Sequence, residues 1–286
     1  MIIPKWKLQA LIRNYLEEDL PFGDISSHAI PTKAVSAEIY LKSKGVIAGL
    51  TCAEEIFSLL DCESKVLVEE GSVIKDVPAA VIAIQGEARN ILQGERLALN
   101  FLGRLSGIAT KTRRMQQKLN RLAENTGINP PRIAGTRKTT PGFRLLEKYA
   151  IFIGGGDPHR FSLSDCILLK DNHLKCYSTI REAIERARET SSFTHKIEVE
   201  VESLESAIEA GDSGADMLLL DNFDPLSLRK VVSEIKLKHP NIILEASGGI
   251  NSANVGEYAT VGVHYLSSGS LTHSVRSLDV SLQIVS

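Results

Sequence analysis

The chain has 286 residues, of which 43% are hydrophobic and 24% charged, enough apolar content for one large core or two modest ones. Its net charge of -2 lacks the basic excess of a general nucleic-acid binder, and 5% aromatics leaves little for stacking on RNA. No window approaches ~18 consecutive apolar residues and the start M-I-I-P-K-W-K has no apolar secretory core. Cys52, Cys62, Cys166 and Cys176 form no C-x-x-C pair, so the expectations are no membrane span, no zinc site and free thiols in a reducing cytoplasm.

In chain order, Leu8, Leu11, Ile12, Tyr15 and Leu16 recur at helical spacing and predict a helix over 6–18, broken by Pro21, Gly23 and Asp24. Strands are predicted at 35–41 and 46–48 with Gly45 between them, then a short helix at 53–60 and strands at 66–68, 72–74 and 79–86. Leu92, Leu97, Leu99, Phe101, Leu102 and Leu105 predict a long helix over 91–108. After about residue 130, short apolar strands (132–134, 166–169, 197–201, 217–220, 242–244, 263–266) alternate with helices (143–152, 179–189, 204–210, 226–238, 252–258). That alternation signals parallel β/α units. The alternating stretch 278–285 predicts a strand returning to the first domain.

Nearly every strand of the second half ends in reactive or glycine residues: T-R-K-T-T-P-G at 136–142, K-D-N-H at 170–173, E-V-E at 198–200, L-D-N at 220–222, E-A-S-G-G at 245–249 and S-S-G-S at 267–270. Barrel enzymes gather their functional groups at the carboxyl ends of strands. Six unrelated surface loops are the bland alternative. The two glycine-rich endings suit a phosphate, because glycine lets backbone N–H groups approach its oxygens and a helix over 250–258 favours the anion.

Arg137, Lys138, Arg144, His159, Arg160 and Lys170 form a run of cations, with His159 and Arg160 following the G-G-G turn at 154–156. Like charges at ~4 Å repel by ~4 kcal/mol at an effective dielectric near 20, so their convergence calls for a polyanion. Arginine suits planar carboxylates; lysine suits phosphate or a reacting carboxylate. In K-I-E-V-E-V-E, Lys196, Glu198, Glu200 and Glu202 share a strand face, and a core pair of Lys196 with Glu198 is expected. Glu200 and Asp221 lie nearer the mouth, placed to hold Mg²⁺, bind ribose hydroxyls or stabilise positive charge; a helix cap is the structural alternative for Asp221.

G-T-R-K-T-T-P-G-F-R-x-L-E-K-Y, K-D-N-H, E-V-E, L-D-N-F, E-A-S-G-G-I and S-x-G-S-L-T-H-S occur in this order, preceded by L-N-F-L-G-R-L-S-G-I-A-T at 99–110. Together they resemble the quinolinate phosphoribosyltransferase family, from E-D-L-P-F-G-D-I-S at 18–26 to the C-terminus. The resemblance implies an N-terminal α/β sandwich domain (1–112, joined by a strand at 275–286) and an open β/α barrel domain (113–274). It implies transfer of phosphoribosyl from phosphoribosyl pyrophosphate, with Mg²⁺, to quinolinate, releasing pyrophosphate and CO2 and leaving nicotinate mononucleotide. Thr136, Arg137, His159, Arg160 and Lys170 are then substrate-binding residues, the last four on the quinolinate carboxylates. Lys138 contacts phosphate. Glu200 and Asp221 face the ribose or its metal, and Lys138, Lys170, Glu200 and Asp221 are the catalytic set. Ser247, Gly248, Gly249, Ser268, Gly269 and Ser270 cradle the 5-phosphate. The resemblance also implies a homodimer or a hexamer of dimers, with Arg104 donated to a partner's site. Three positions depart from the family pattern: Pro158 stands where asparagine is common, and Gly135 and His264 where aspartate is. Two other readings of the residues are a Schiff-base aldolase with Lys170 as nucleophile and a non-catalytic anion-binding paralogue.

Overall fold

The computed structural model describes residues 3–285; residues 1, 2 and 286, which the domain expectation included, lie outside the described residues. The chain divides into two compact units, one of Met1–Lys111, Phe152–Gly154 and Val275–Ser286, the other of Thr112–Ile151 and Gly155–Ser274. No helix among the described residues is long and apolar enough to cross a membrane.

The first unit holds α1 (Lys5–Asp19), β1 (Ala34–Leu41), β2 (Gly45–Val46), α2 (Leu50–Leu59), β3 (Glu63–Val66), β4 (Val73–Ile74), β5 (Ala79–Glu87) and most of α3 (Ala88–Ala123). The C-terminal strand Val280–Ile284 pairs antiparallel with β1, and the four-stranded sheet runs C-terminal strand–β1–β5–β3. In β1 the period of two buries Val35, Ala37, Ile39 and Leu41. Two elements differ from expectation. The strand expected at 66–68 is β3, because the ladder with β5 pairs Glu63 with Gln85 and ends at Val66 opposite Ile82. The helix expected over 91–108 is 36 residues long. Its last third is polar and so lacks a broad apolar stripe, but it consists of good helix formers and buries Met115, Leu119 and Ala123 at a spacing of four.

Within this unit α3 supplies what the short β2 segment lacks. The hydroxyls of Ser106 and Thr110, one turn apart, accept from the N–H groups of Ala48 at 2.9 Å and Val46 at 2.8 Å. Gly103 and Gly107 let the chain leading to the C-terminal strand lie on the helix backbone. Leu278 N–H donates to Gly103 O at 2.9 Å, and a Cβ on Gly107 would stand 2.4 Å from Arg276 O.

The second unit strings β6 (Arg132–Ala134), α4 (Arg144–Ile153), β7 (Ile167–Leu169), α5 (Asp171–Leu174), α6 (Ile180–Thr190), β8 (Ile197–Val201), α7 (Leu204–Asp212), β9 (Met217–Asp221), α8 (Pro225–Lys238), β10 (Ile243–Ser247), β11 (Tyr265–Ser267) and α9 (Ser270–His273). Six parallel strands form one sheet in the order β6–β11–β10–β9–β8–β7, and its two edges do not pair with each other, which makes an open β/α barrel. Side-chain caps start its helices: Thr179 for α6, Ser203 for α7 and Asp224 for α8. Asp224 is the cap of α8, so Asp221 is not. The helix expected at 252–258 is only a 3₁₀ turn, Val255–Tyr258. Asn251 and Asn254 explain this: their side-chain oxygens accept from Ala253 N–H and Asn251 N–H, and both side-chain amides donate to Gly249 O. No helix amino terminus therefore follows the S-G-G turn.

Candidate active site

Parallel strands in register bring their carboxyl ends to one level. Lys170 lies one residue past β7, Glu200 on β8, Asp221, Ser247 and Ser267 end β9, β10 and β11, and Thr136, Arg137 and Lys138 follow β6. All line one cavity of about 360 Å³, together with Gly135, His159, Arg160, Leu168, Leu219 and Glu245. The period of two places Leu168 below Lys170, Leu219 below Asp221 and Glu245 below Ser247 on the inward face.

Charge inside the cavity is arranged by type. The Lys170 ammonium is ion-paired with the Glu200 carboxylate. Asn222, at φ +58, donates from its amide to Asp221 Oδ2 at 2.6 Å and fixes that carboxylate. Burial, and then the charge of Glu200, hold the Asp221 carboxyl above its ordinary range. Arg137 lines the cavity, and its Nε is shielded from solvent with no hydrogen-bond acceptor among the described residues. A buried guanidinium N–H without an acceptor is costly, and an anion in the cavity offers one. The loop carrying Arg137 and Lys138 is fixed from both sides. Thr136 Oγ1 accepts from Lys138 N–H at 3.0 Å, and Thr272 Oγ1 donates to Lys138 O at 2.6 Å.

Beneath this layer His159 meets two acids. Its Nε2 is 3.1 Å from Glu245 Oε2 and 3.9 Å from Glu198 Oε2, both carboxylates being buried. The expected Lys196–Glu198 core pair is therefore replaced: Lys196 is exposed, and Glu198 points inward to His159. Burial, and then the neighbouring charge of Glu245, push the Glu198 carboxyl up to about 7. Burial alone lowers His159, but the hydrogen bond to Glu245 and the charges of Glu245 and Glu198 outweigh it and leave the imidazole raised. His159, Glu198 and Glu245 each offer a ligand atom within 4.8 Å of the others.

Several predicted residues lie elsewhere. Arg104, on α3 in the first unit, is not among the residues lining the cavity. Nor are Gly248, Gly249, Ser268, Gly269 and Ser270. Ser268 Oγ is buried, donates to Ile250 O at 2.6 Å and bonds Ser270 Oγ at 2.8 Å, so these hydroxyls tie the loops after β10 and β11 together. Gly248 (φ +100) packs against Asn222, where a Cβ would come 2.7 Å from the backbone nitrogen. Gly249 (φ +62) faces open space. The Lys138 side chain lies over Gly269, its Cδ 3.0 Å from a Cβ built there. Arg144 braces the loops instead of lining the cavity, donating to Thr139 Oγ1 at 2.9 Å and Phe161 O at 3.1 Å.

Sequence reasoning missed Glu245, Ser267, Leu168, Leu219, Asn222 and the inward role of Glu198. The period of two, extended down β10 from Ser247, could have found Glu245. Asn222 stands in the L-D-N ending, but its part depends on a positive φ that the sequence does not show.

Two family models match, the quinolinate phosphoribosyl transferase N-terminal domain over residues 24–106 and C-terminal domain over residues 108–283. A nicotinate-nucleotide pyrophosphorylase [carboxylating] of Dictyostelium discoideum is 39% identical over 292 residues, covering 99% of this chain and 97% of its own. The Homo sapiens protein of the same name is 39% identical over 288 residues, covering 99% of this chain and 94% of its own. The solved nicotinate-nucleotide pyrophosphorylase from Francisella tularensis superposes with a TM-score of 0.91 at 31% identity, covering 99% of this chain and 98% of that one.

Proposed function

The chain belongs to the quinolinate phosphoribosyl transferase family, and from that premise we propose that its barrel cavity joins quinolinate to the ribose of phosphoribosyl pyrophosphate, with loss of CO2, as a step of NAD biosynthesis. The observation that carries the reading is the convergence of Arg137, Arg160 and Lys170 on one cavity with Glu200 and Asp221 at its edge. Three cations, one with an orphaned guanidinium N–H, suit a planar dicarboxylate; two carboxylates suit the ribose.

Arg137, Arg160 and Lys170 grip the quinolinate carboxylates, with Thr136 beside them and His159 beneath, and hold the ring nitrogen towards C1 of the ribose; that positioning is much of the catalysis. Positive charge builds on the sugar as the C1–pyrophosphate bond breaks, and Glu200 and Asp221 stabilise it. The ring nitrogen bonds to C1. The pyridinium then draws the electron pair of the adjacent C–CO2⁻ bond into the ring, CO2 leaves, and that carbon takes up a proton. Lys138, lying over Gly269, contacts phosphate. The loops bearing Ser247, Gly248, Gly249, Ser268, Gly269 and Ser270 cradle the 5-phosphate, chiefly through backbone N–H groups, since the hydroxyls of Ser268 and Ser270 are engaged with each other. Glu200 and Asp221 present hard oxygen donors whose mutual repulsion a cation relieves, so they fit Mg²⁺ and would hold it; its chemistry there would be to neutralise charge on the pyrophosphate.

The reading includes a homodimer or larger assembly in which Arg104 completes a partner's cavity, and a cytoplasmic setting, supported by four unpaired cysteines. An imine mechanism at Lys170 is set aside by the family match and by its ion pair with Glu200. The test is formation of nicotinate mononucleotide and pyrophosphate from quinolinate, with nicotinate as competing acid. Arg137→Ala and Lys170→Ala are each expected to lose about 100-fold or more in kcat/KM with the fold intact. Turnover near wild type in both variants refutes these roles.

A further inference from the structure

Two acids are left idle by the reaction, Glu245 lining the cavity and Glu198 beneath it. The side chains of Glu198 and Glu245 are 1% and 7% exposed. Each keeps an oxygen without a hydrogen-bond partner, Oε2 of Glu198 and Oε1 of Glu245. Buried carboxylates are retained at a cost, so something must depend on them. What they face is His159 Nε2. On the same ring, Nδ1 accepts the N–H of Arg160 at 2.6 Å, which puts the ring proton on Nε2, pointing at the acids. A proton there leaves no lone pair for a metal ion; it bonds Glu245 Oε2, clamping the ring, while Glu198 Oε2, at 3.9 Å, faces the ring beyond hydrogen-bond reach.

The backbone shows what the clamp holds. His159 sits at φ +55, a conformation a side-chain-bearing residue keeps only when its surroundings impose it. Asp157 Oδ1 accepts the His159 N–H at 2.7 Å, and the buried Lys148 ammonium bonds Pro158 O. The next residue is Arg160, which lines the cavity. We propose that Glu245 and Glu198 are positioning residues: Glu245 by accepting His159 Nε2–H, and Glu198 by facing the same ring edge from 3.9 Å, hold the strained turn that presents the Arg160 guanidinium to the ring dicarboxylate. The inference rests on the quinolinate reading of the cavity and extends it to two residues that act through His159.

Phthalate presents the same pair of adjacent ring carboxylates but has no ring nitrogen to ribosylate, so calorimetry with it reads the clamp apart from turnover. Glu245→Leu is expected to weaken phthalate binding and raise KM for quinolinate roughly tenfold, with KM for phosphoribosyl pyrophosphate within about twofold of wild type. Glu245→Gln keeps an acceptor for the imidazole N–H and is expected to restore phthalate affinity to within about threefold. Phthalate affinity unchanged in Glu245→Leu, a Gln variant as impaired as Leu, or equal rises in both KM values overturns the proposal. Should Glu245→Leu not fold, Asp157→Ala releases the same turn from its other side and must show the same selective loss; normal phthalate binding in it also overturns the proposal. A wild type that binds phthalate yet forms no nucleotide defeats the reaction and leaves the clamp standing.

Discussion

Lys148 is fully buried, and burial, then the nearby Arg144 guanidinium, lower its ammonium from 10.5 to about 8. Below about 8 the folded and unfolded chains both carry this proton. Between about 8 and 10.5 the unfolded chain holds more of it, so folding stability rises with pH across that window. Lys148→Met is expected to remove the rise, and urea midpoints at about pH 8 and about pH 10 read it directly; the same slope in both proteins assigns the effect elsewhere. Such a group is invisible in sequence. Lys148 looks like any surface lysine of a helix, and only the packing of Phe161 and the turn at Pro158 around it makes it a core residue. Arg137, Lys170 and Asp221 were legible for the opposite reason. Each ends an apolar strand, and a strand-end charge has few places to go except the mouth of a barrel.

At the scale of elements, the seam between α3 and the returning chain is the most exacting contact of the first unit. Gly107→Ala gains about 0.5–1 kcal/mol of helix propensity. The added Cβ would meet the Arg276 carbonyl at 2.4 Å, backbone against backbone, where neither side has a flexible end to move. Overpacking of that kind costs about 1–3 kcal/mol, so the clash wins and a net loss in urea is expected; a more stable variant would show the seam to be loose. Periodicity read the six parallel strands well, because a buried strand needs an unbroken apolar run. It failed where side chains redirect the backbone. Asn251 and Asn254 compete for N–H groups a helix needs, and the polar end of α3 has too narrow a buried stripe to register as periodic.

On the scale of the whole molecule, the proposed donation of Arg104 to a partner's cavity makes a prediction no single chain can meet. Arg104→Ala and Lys170→Ala are each expected to be nearly inactive alone. Mixed after unfolding and refolding together, they are expected to regain about a quarter of wild-type activity, because half of random dimers are mixed and each mixed dimer holds one intact site. Activity that stays at the level of the separate variants places Arg104 outside any shared site. This assembly rests on the family resemblance. Nothing in the pattern of α3 distinguishes Arg104 from an ordinary polar residue on an amphipathic helix, whereas the parallel β/α units of the second unit follow from alternating strands and helices alone.

The sheet of the first unit carries, as its edge, a strand that comes after the whole barrel segment in sequence, Val280–Ile284 against β1. During synthesis that edge strand follows the whole barrel segment, so the first unit must wait with one side of β1 unpaired until the barrel segment has been made. The usual vectorial order, amino-terminal body first, is thereby reversed in its final step. A released chain cut short after residue 274 should present a folded barrel to a protease and a cleavable first unit.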